Sequence, residues 1–282
     1  GALAWHGAPA GEVVPVLVAL LGDETCGWEA RSRLAELGDA AAPHLLPLLA
    51  EPGTRFAVAA VLAQAGADPA RIEPVLFEAL AAGETDLVED ALWTFGDRKA
   101  PFLRAGLRHA SERVRIFCAE ALAREFSEFL EDRVLEADAT ARDLAPLLDD
   151  PAPRVREAVL DTLRALGPLA EPATARLIPL LDGPHRWAAA RVLRGIGRPA
   201  KDAAPRLAKL LREDEDARVR IAAIGALEAL GKEAGDHVKA LWDAHENDPN
   251  DLVRSLAVRA AFRSSIESGA YGIGIGGGGG GR

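Results

Sequence analysis

The stretch that decides the fold is Asp150-Pro151-Ala152-Pro153-Arg154-Val155-Arg156, which leads into an apolar pattern that ends at Gly167. After it, Val159, Leu163 and Leu166 follow at spacings that place them on one face of a helix. Proline is tolerated in the first turn of a helix, and glycine just past the last turn is a natural stop. The stretch therefore predicts one amphipathic α-helix with a defined beginning and end.

This pattern recurs along the chain. Residues 248–254 nearly duplicate it, and residues 213–220 form a version without proline. Each such helix is preceded by another apolar helix, which carries proline in every unit except the last, and at Pro47, Pro146 and Pro179 we expect that first helix to be bent or shortened. The second helices end at Gly38, Gly66, Gly96, Gly167, Gly197 and Gly231. A repeat of roughly 30 residues is typical of stacked helix pairs, so it predicts an open solenoid rather than one closed core.

These repeated motifs resemble HEAT repeats, in the short bacterial form of the phycobilisome-lyase-like group, over about residues 9–263. The resemblance implies an all-α, right-handed α-solenoid of about eight HEAT-like helical hairpins. It also implies that the first helices lie on the convex side and the second helices on the concave side. We therefore expect a solenoid at residues 1–263 and a Gly-rich C-terminal tail at residues 264–282. The repeat spacing is interrupted at residues 125–140, where Phe126 and its apolar neighbours predict an inserted, acidic extra helix.

Composition and charge limit the kinds of partner and the cellular location that we expect. Asp and Glu outnumber Lys and Arg by 43 to 33, which gives a net charge of −10 and argues against nucleic acid as the partner. Cys26 and Cys118 lie in different repeats and suggest neither a disulfide framework nor a metal site, so we expect a reducing, cytoplasmic location. No apolar run is long enough to span a membrane.

An arginine recurs at the start of the second helices. Acids precede most of these arginines at a fixed interval, as Asp150, Asp214 and Asp248 do by six residues. The resemblance implies an Asp–Arg ladder that ties neighbouring repeats together across their turns, and we favour this role over an arginine stripe for phosphate or carboxylate ligands. The predicted ladder residues are Arg55, Arg115, Arg156, Arg186, Arg220 and Arg254.

The residue after that arginine is large and apolar in several repeats. On a helix turning ~100° per residue, this position points almost opposite to the buried stripe. Two interpretations stay open, namely a recognition surface and the filling of gaps between adjacent repeats. The residues concerned are Trp28, Phe56, Ile116, Trp187 and Ile221, with Trp93 on the same side.

We expect a non-enzymatic scaffold or regulatory adaptor that binds a protein or peptide on its concave face. Its contacts are predicted to be the six apolar residues just named, with Arg31, Arg113 and Arg191 for polar specificity. One alternative is that residues 268–282 dock in the groove of the same or a neighbouring molecule and so allow self-association. Another is a HEAT-like enzyme, a DNA glycosylase or a bilin lyase, for which Asp90 with Trp93 and Arg113 is the nearest grouping. The six histidines are scattered and no metal or nucleotide motif is present, so the sequence predicts no catalytic residue, no cofactor and no metal.

Overall fold

Helices follow one another in pairs along the computed structural model, which describes residues 9–23, 25–129 and 134–267. Within these ranges there are sixteen α-helices and no strand, so the predicted all-α class is confirmed. The chain divides into a first unit, residues 1–118, and a second unit, residues 119–282.

In the first unit the helices form four pairs, the last of which is completed by a helix that continues into the second unit. They are α1 (Ala10–Ala19), α2 (Gly27–Glu36), α3 (Ala42–Leu45), α4 (Arg55–Gln64), α5 (Pro69–Ala82), α6 (Thr85–Leu92), α7 (Lys99–Gly106) and α8 (Glu112–Phe129). The second helices pack side by side, α2 on α4 and α4 on α6, and the first helices α1 and α3 also touch.

The second unit repeats this arrangement four more times. Its helices are α9 (Val134–Leu144), α10 (Pro153–Leu166), α11 (Thr174–Leu180), α12 (Arg186–Ile196), α13 (Ala204–Glu213), α14 (Ala217–Leu230), α15 (Val238–Asn247) and α16 (Asp251–Glu267). The second helices α10, α12, α14 and α16 contact one another in that order, and α13 contacts α15. Each unit therefore has a layer of first helices and a layer of second helices, and each layer buries one side of the other.

Glycine directly caps the second helices at Gly167, Gly197 and Gly231, as predicted, whereas α6 ends at Leu92, before Gly96. All six glycines that were expected to stop a second helix have a positive φ, as at Gly197 with φ 73°, a conformation in which a Cβ atom would be strained. Proline shortens first helices: α3 has four residues before the 3₁₀ segment Leu46–Ala50, and α9 gives way to the 3₁₀ segment Ala145–Asp149. The cause is the amide hydrogen that Pro47 and Pro146 lack.

The segment predicted to form an inserted extra helix, residues 125–140, is divided between two helices in the described part of the chain. Residues 125–129 extend α8, and residues 134–140 already belong to α9, the first helix of the next pair. No proline or glycine interrupts α8, and its apolar spacing of four from Val114 through Cys118 and Leu122 continues to Phe126, which is buried. The apolar side of Phe126 thus lengthens an existing helix instead of building a new one.

The helices approach one another most closely where side chains are smallest. A Cβ atom built on Gly106 would lie 2.9 Å from Cε1 of Phe77 and would overlap Sγ of Cys118. Cys118 is buried and Phe77 half-buried, and both belong to other helices, so α7 can lie at this depth only because residue 106 has no side chain. The Gly-rich residues 268–282, for which docking was predicted, lie outside the described residues.

Candidate protein-binding surfaces

The clearest ladder contact lies between the last two helix pairs. Nε and Nη2 of Arg220 donate to the two carboxylate oxygens of Asp248 at 2.8 and 3.0 Å, and Nη1 donates to the carbonyl of Asp214 at 2.8 Å. Asp248 also accepts the amide hydrogen of Asn250 at 2.9 Å. Arg220 and Asp248 are both buried, so this bidentate pair joins two repeats inside the fold.

The neighbouring ladder arginines use the same geometry in part. Nε of Arg186 donates to the Asp214 carboxylate at 2.5 Å, and this contact raises the pKa of the Arg186 guanidinium. Arg254, in the last described pair, donates to the carbonyl of Asp248 at 2.6 Å and pairs with the exposed Asp251.

A histidine replaces the ladder aspartate between α10 and α12. Nη1 of Arg156 donates to the carbonyl of Asp150 at 2.6 Å, but its Nε donates to Nε2 of His185 at 3.2 Å. The turn before α12 is shorter, so that Asp182 lies four residues before Arg186 and pairs instead with Arg206 at 3.1 Å. Sequence reasoning treated His185 as one of several scattered histidines. Its position 29 residues after Arg156 was the available signal, since the other two pairs span 28.

In the first unit the ladder is less regular. Arg115 donates to the carbonyls of His109 and Ala110, both at 2.8 Å, as the pattern requires. Arg55 differs, because it pairs with Glu78 of α5 at 2.9 Å and its guanidinium carbon lies 4.9 Å from the centroid of the Phe56 ring. Nε of Arg55 is buried without a hydrogen-bond partner.

The tryptophans of the first unit lie at the surface. Trp28 on α2 is 69% exposed and Trp93, just after α6, is 84% exposed, whereas Phe56 and Ile116 are half-buried. The ammonium of Lys99 lies 5.7 Å from the centroid of the Trp93 ring. These two tryptophans do not fill a gap between repeats.

An ion pair crosses the second-helix layer between these rings. Nη1 of Arg31 on α2 lies 3.9 Å from a carboxylate oxygen of Asp90 on α6, although α4 lies between the two helices. The middle of α4, residues 58–63, is buried beneath. Arg113 is placed elsewhere, since its Nη1 lies 3.4 Å from the position that a Cβ of Gly83 would take, at the end of α5. The grouping of Asp90 with Trp93 and Arg113 is therefore not assembled around Asp90, whose ion pair is with Arg31.

The second unit presents a tryptophan and arginines on its second-helix layer. Trp187 on α12 is 43% exposed, and the guanidinium carbon of Arg191 lies 4.5 Å from the centroid of its ring. Ile221, at the equivalent position of α14, is half-buried. Arg194 of α12 lies over Gly225 of α14, with its Cδ 3.1 Å from the position that a Cβ there would take.

Arg194, Gly225 and Arg259 were missed by the sequence reasoning. A signal existed, because Arg191, Gly225 and Arg259 all follow a ladder arginine by five residues and so occupy equivalent positions on α12, α14 and α16.

The described residues contain little that suggests chemistry on a substrate. They include no group of three or more His, Cys, Asp or Glu side chains that could hold a metal ion. Burial raises the pKa of the Cys118 thiol, which disfavours the reactive thiolate. Two open grooves, of about 490 and 420 Å³, lie along the ladder, and the ladder arginine in each, Arg186 or Arg220, is already bonded to an aspartate. Within these residues, no helix combines the length and apolar character that a membrane span requires.

Comparison with known proteins agrees with the repeat architecture. Residues 170–261 match the family model described as HEAT repeats, which confirms the HEAT resemblance for this part of the chain. No curated protein matches the sequence.

Solved structures with some likeness are repeat proteins as well. A designed armadillo repeat protein is 20% identical with a TM-score of 0.49, over 79% of this chain and 98% of its own. A second one, in complex with the peptide (KR)4, is 20% identical with a TM-score of 0.45, over 77% and 99%. The complex of CpcE and CpcF of phycocyanin lyase from Nostoc sp. is 20% identical with a TM-score of 0.32, over 91% and 94%. At these values no function transfers from any of them.

Proposed function

We propose that the chain is a non-enzymatic scaffold or adaptor that binds a protein or peptide through the second-helix layer of each unit. The observation that carries this proposal is the exposure of Trp28, Trp93 and Trp187 on that layer, at 69%, 84% and 43%. Tryptophan is highly buried on average in folded proteins, and it is among the residues enriched in binding hot spots.

The polar surroundings of these rings support the same function. Lys99 lies near Trp93, Arg191 stacks on Trp187, and the Arg31–Asp90 pair lies between Trp28 and Trp93 along the helix direction. Apolar anchors ringed by arginine and other charged groups are typical of protein interfaces. A cation on one face of a ring leaves its edge and other face available to a partner.

The net charge concerns the kind of partner, and the cysteines concern the cellular location. With a net charge of −10, we do not assign nucleic acid as the partner. Cys26 and Cys118 are both free thiols, which is compatible with a reducing, cytoplasmic compartment.

The test is a comparative pull-down from an extract of the native host. The baits are the wild-type chain, Trp28→Ala/Trp93→Ala for the first unit and Trp187→Ala for the second. Val16→Ala is the matched control, because Val16 is an exposed apolar residue on the first helix α1. Support requires a protein retained by wild type and control that at least one tryptophan variant loses, with unchanged circular dichroism. Identical retention by all four baits would remove the tryptophans from the function.

A further inference from the structure

In the second unit, arginines of α12 and α16 contact α14 from both sides, at Gly225 and at Glu228. Arg194 of α12 lies over Gly225 of α14, within 3.1–3.4 Å of the position that a Cβ there would take. On the other side, Arg263 of α16 contacts Glu228 of α14 at 3.0 Å. On α16, Arg259 lies one turn before Arg263, and on α14, Gly225 lies one turn before Glu228. Because Arg263 contacts Glu228, Arg259 lies at the same height along the helices as Gly225. We call Trp187, Arg191, Arg194, Gly225 and Arg259 the arginine face.

The arginines of this face lack the partners that other arginines of the same layer have. Arg164 pairs with Asp161 at 3.5 Å, and Arg263 pairs with Glu228. Among the described residues, no carboxylate lies within ion-pair distance of Arg191, Arg194 or Arg259. Acids outnumber bases by 43 to 33 in the chain, so this shortage is local and does not follow from the composition.

Two of these guanidinium groups are held in place while their donors stay available. The guanidinium of Arg191 lies over the Trp187 ring, and this cation–π contact uses none of its hydrogen bonds, so its donors stay available to a carboxylate. Arg194 rests on the backbone of α14 in a space that any side chain at residue 225 would occupy. Such support removes side-chain freedom before a ligand arrives and so lowers the entropic cost of binding.

We propose that the arginine face binds an acidic peptide segment in an extended conformation, and this inference rests on the function proposed above. The carboxylates pair with Arg191, Arg194 and Arg259, and an apolar side chain packs against Trp187. Adjacent helices lie about 10 Å apart, so the path from α12 to α16 is about 20 Å, or roughly six residues of extended chain. A segment with acidic residues at both ends of such a stretch matches the charges of the face. The peptide crosses the helices, because the arginines lie on α12 and α16 at the same level.

The experiment measures fluorescence anisotropy on the full chain with three labelled probes. They are a 12-residue peptide of repeated Asp-Leu-Ser-Glu units, its counterpart with lysine at every acidic position, and a 12-nucleotide oligothymidylate. We expect the acidic peptide to bind although the protein is itself acidic. Because each arginine contributes a charge-assisted pair, Arg191→Ala and Arg194→Ala are each expected to weaken binding about tenfold.

Two further sets of variants separate the face from general charge effects and from folding. Gly225→Ala displaces Arg194 without removing a charge and is expected to weaken the acidic peptide as well. Lys209→Ala and Arg212→Ala remove exposed charges from the first helix α13 and are expected to leave binding unchanged. Circular dichroism and a thermal melt on each variant check that the helices are intact.

The other outcomes overturn the inference. If the acidic peptide fails to bind, or binds the arginine variants as well as the wild type, the arginine face is not its site. If the oligothymidylate binds more tightly and with the same dependence on the arginines, the face recognises nucleic acid instead. If the acidic peptide does not bind but Trp187→Ala still fails to retain a host protein that the wild type retains, the assignment of an acidic ligand is wrong and the proposed binding function stands. If Trp187→Ala loses nothing either, the binding function of this layer falls with it.

Discussion

Replacing Arg220 by methionine tests whether the ladder holds the repeats together. Methionine keeps much of the volume but leaves the carboxylate of Asp248 buried without its bidentate partner, and leaves the Asp214 carbonyl without a donor. Removing one member of a buried ion pair costs about 3–5 kcal/mol. Native proteins typically have a free energy of unfolding of roughly 5–15 kcal/mol, so a loss of this size is a large share.

Two further variants serve as comparisons for the stability loss expected of Arg220→Met. Arg254→Met breaks a pair with the exposed Asp251, for which we expect about 0–1 kcal/mol from the ion pair. Replacing both members, as Arg220→Met/Asp248→Leu, removes the unpaired charge together with its partner, and such exchanges are often close to neutral. The double variant is therefore expected to recover most of the stability that the single variant loses.

The assay is urea unfolding followed by circular dichroism, with hydrogen exchange to locate the effect. Because each repeat contacts only its neighbours, the loss should be concentrated in α15 and α16, whose amides should exchange faster than those of α10. The reasoning is refuted if Arg220→Met costs no more than Arg254→Met, or if the double variant is less stable than the single one.

Three further substitutions test other contacts. Gly106→Ala is expected to lower the free energy of unfolding by about 1–3 kcal/mol through overpacking, despite its better helix propensity, and Cys118→Ala should restore part of it in a double-mutant cycle of thermal melts. His185→Asp places the usual ladder residue, aspartate, at the N-terminal cap of α12, and it should raise the free energy of unfolding in urea by about 1 kcal/mol. A gain no larger than that of His185→Ala would contradict the pairing of residue 185 with Arg156. Gly225→Ala should raise the melting temperature, since it gains up to about 1 kcal/mol of helix propensity and the Arg194 side chain has to shift by only a few tenths of an ångström; a fall would mean that Arg194 cannot make this shift.

The repeat architecture could be predicted because its signals are local. A glycine with positive φ after an apolar stripe and a proline in a first helix act on their own few residues, so Gly197 and Pro146 could be interpreted without knowledge of any partner. For the same reason the sequence could not decide how residues 125–140 are divided between helices. The apolar residues around Phe126 have the same pattern in a new helix as in the continuation of an old one, and only packing decides between the two.

The binding surfaces could be predicted only in part. The exposure of Trp28 depends on what neighbouring repeats leave uncovered, and the sequence held recognition and gap-filling equally open. The role of His185 depends on an arginine of the preceding repeat, across a turn whose shortening shifts the expected aspartate out of register. The support of Arg194 by Gly225 is a contact between helices that are adjacent only in the fold. Such contacts join distant residues, and a pattern along one helix carries no information about them.

In the second unit the same side chain has different environments according to its place on the helix. An arginine in the first turn of a second helix meets a carboxylate of the following repeat, as Arg220 meets Asp248, and both are buried. An arginine five or eight residues further on, as at Arg191 and Arg194, meets an aromatic ring or a bare glycine backbone. In the first environment the guanidinium is paired with a carboxylate inside the fold. In the second the guanidinium is held in position but has no carboxylate partner in the part of the chain that the structure describes. Since an ordered cation without a counter-ion has more to gain from a carboxylate than one already paired, the unsatisfied positions are where an acidic partner would gain the most binding energy.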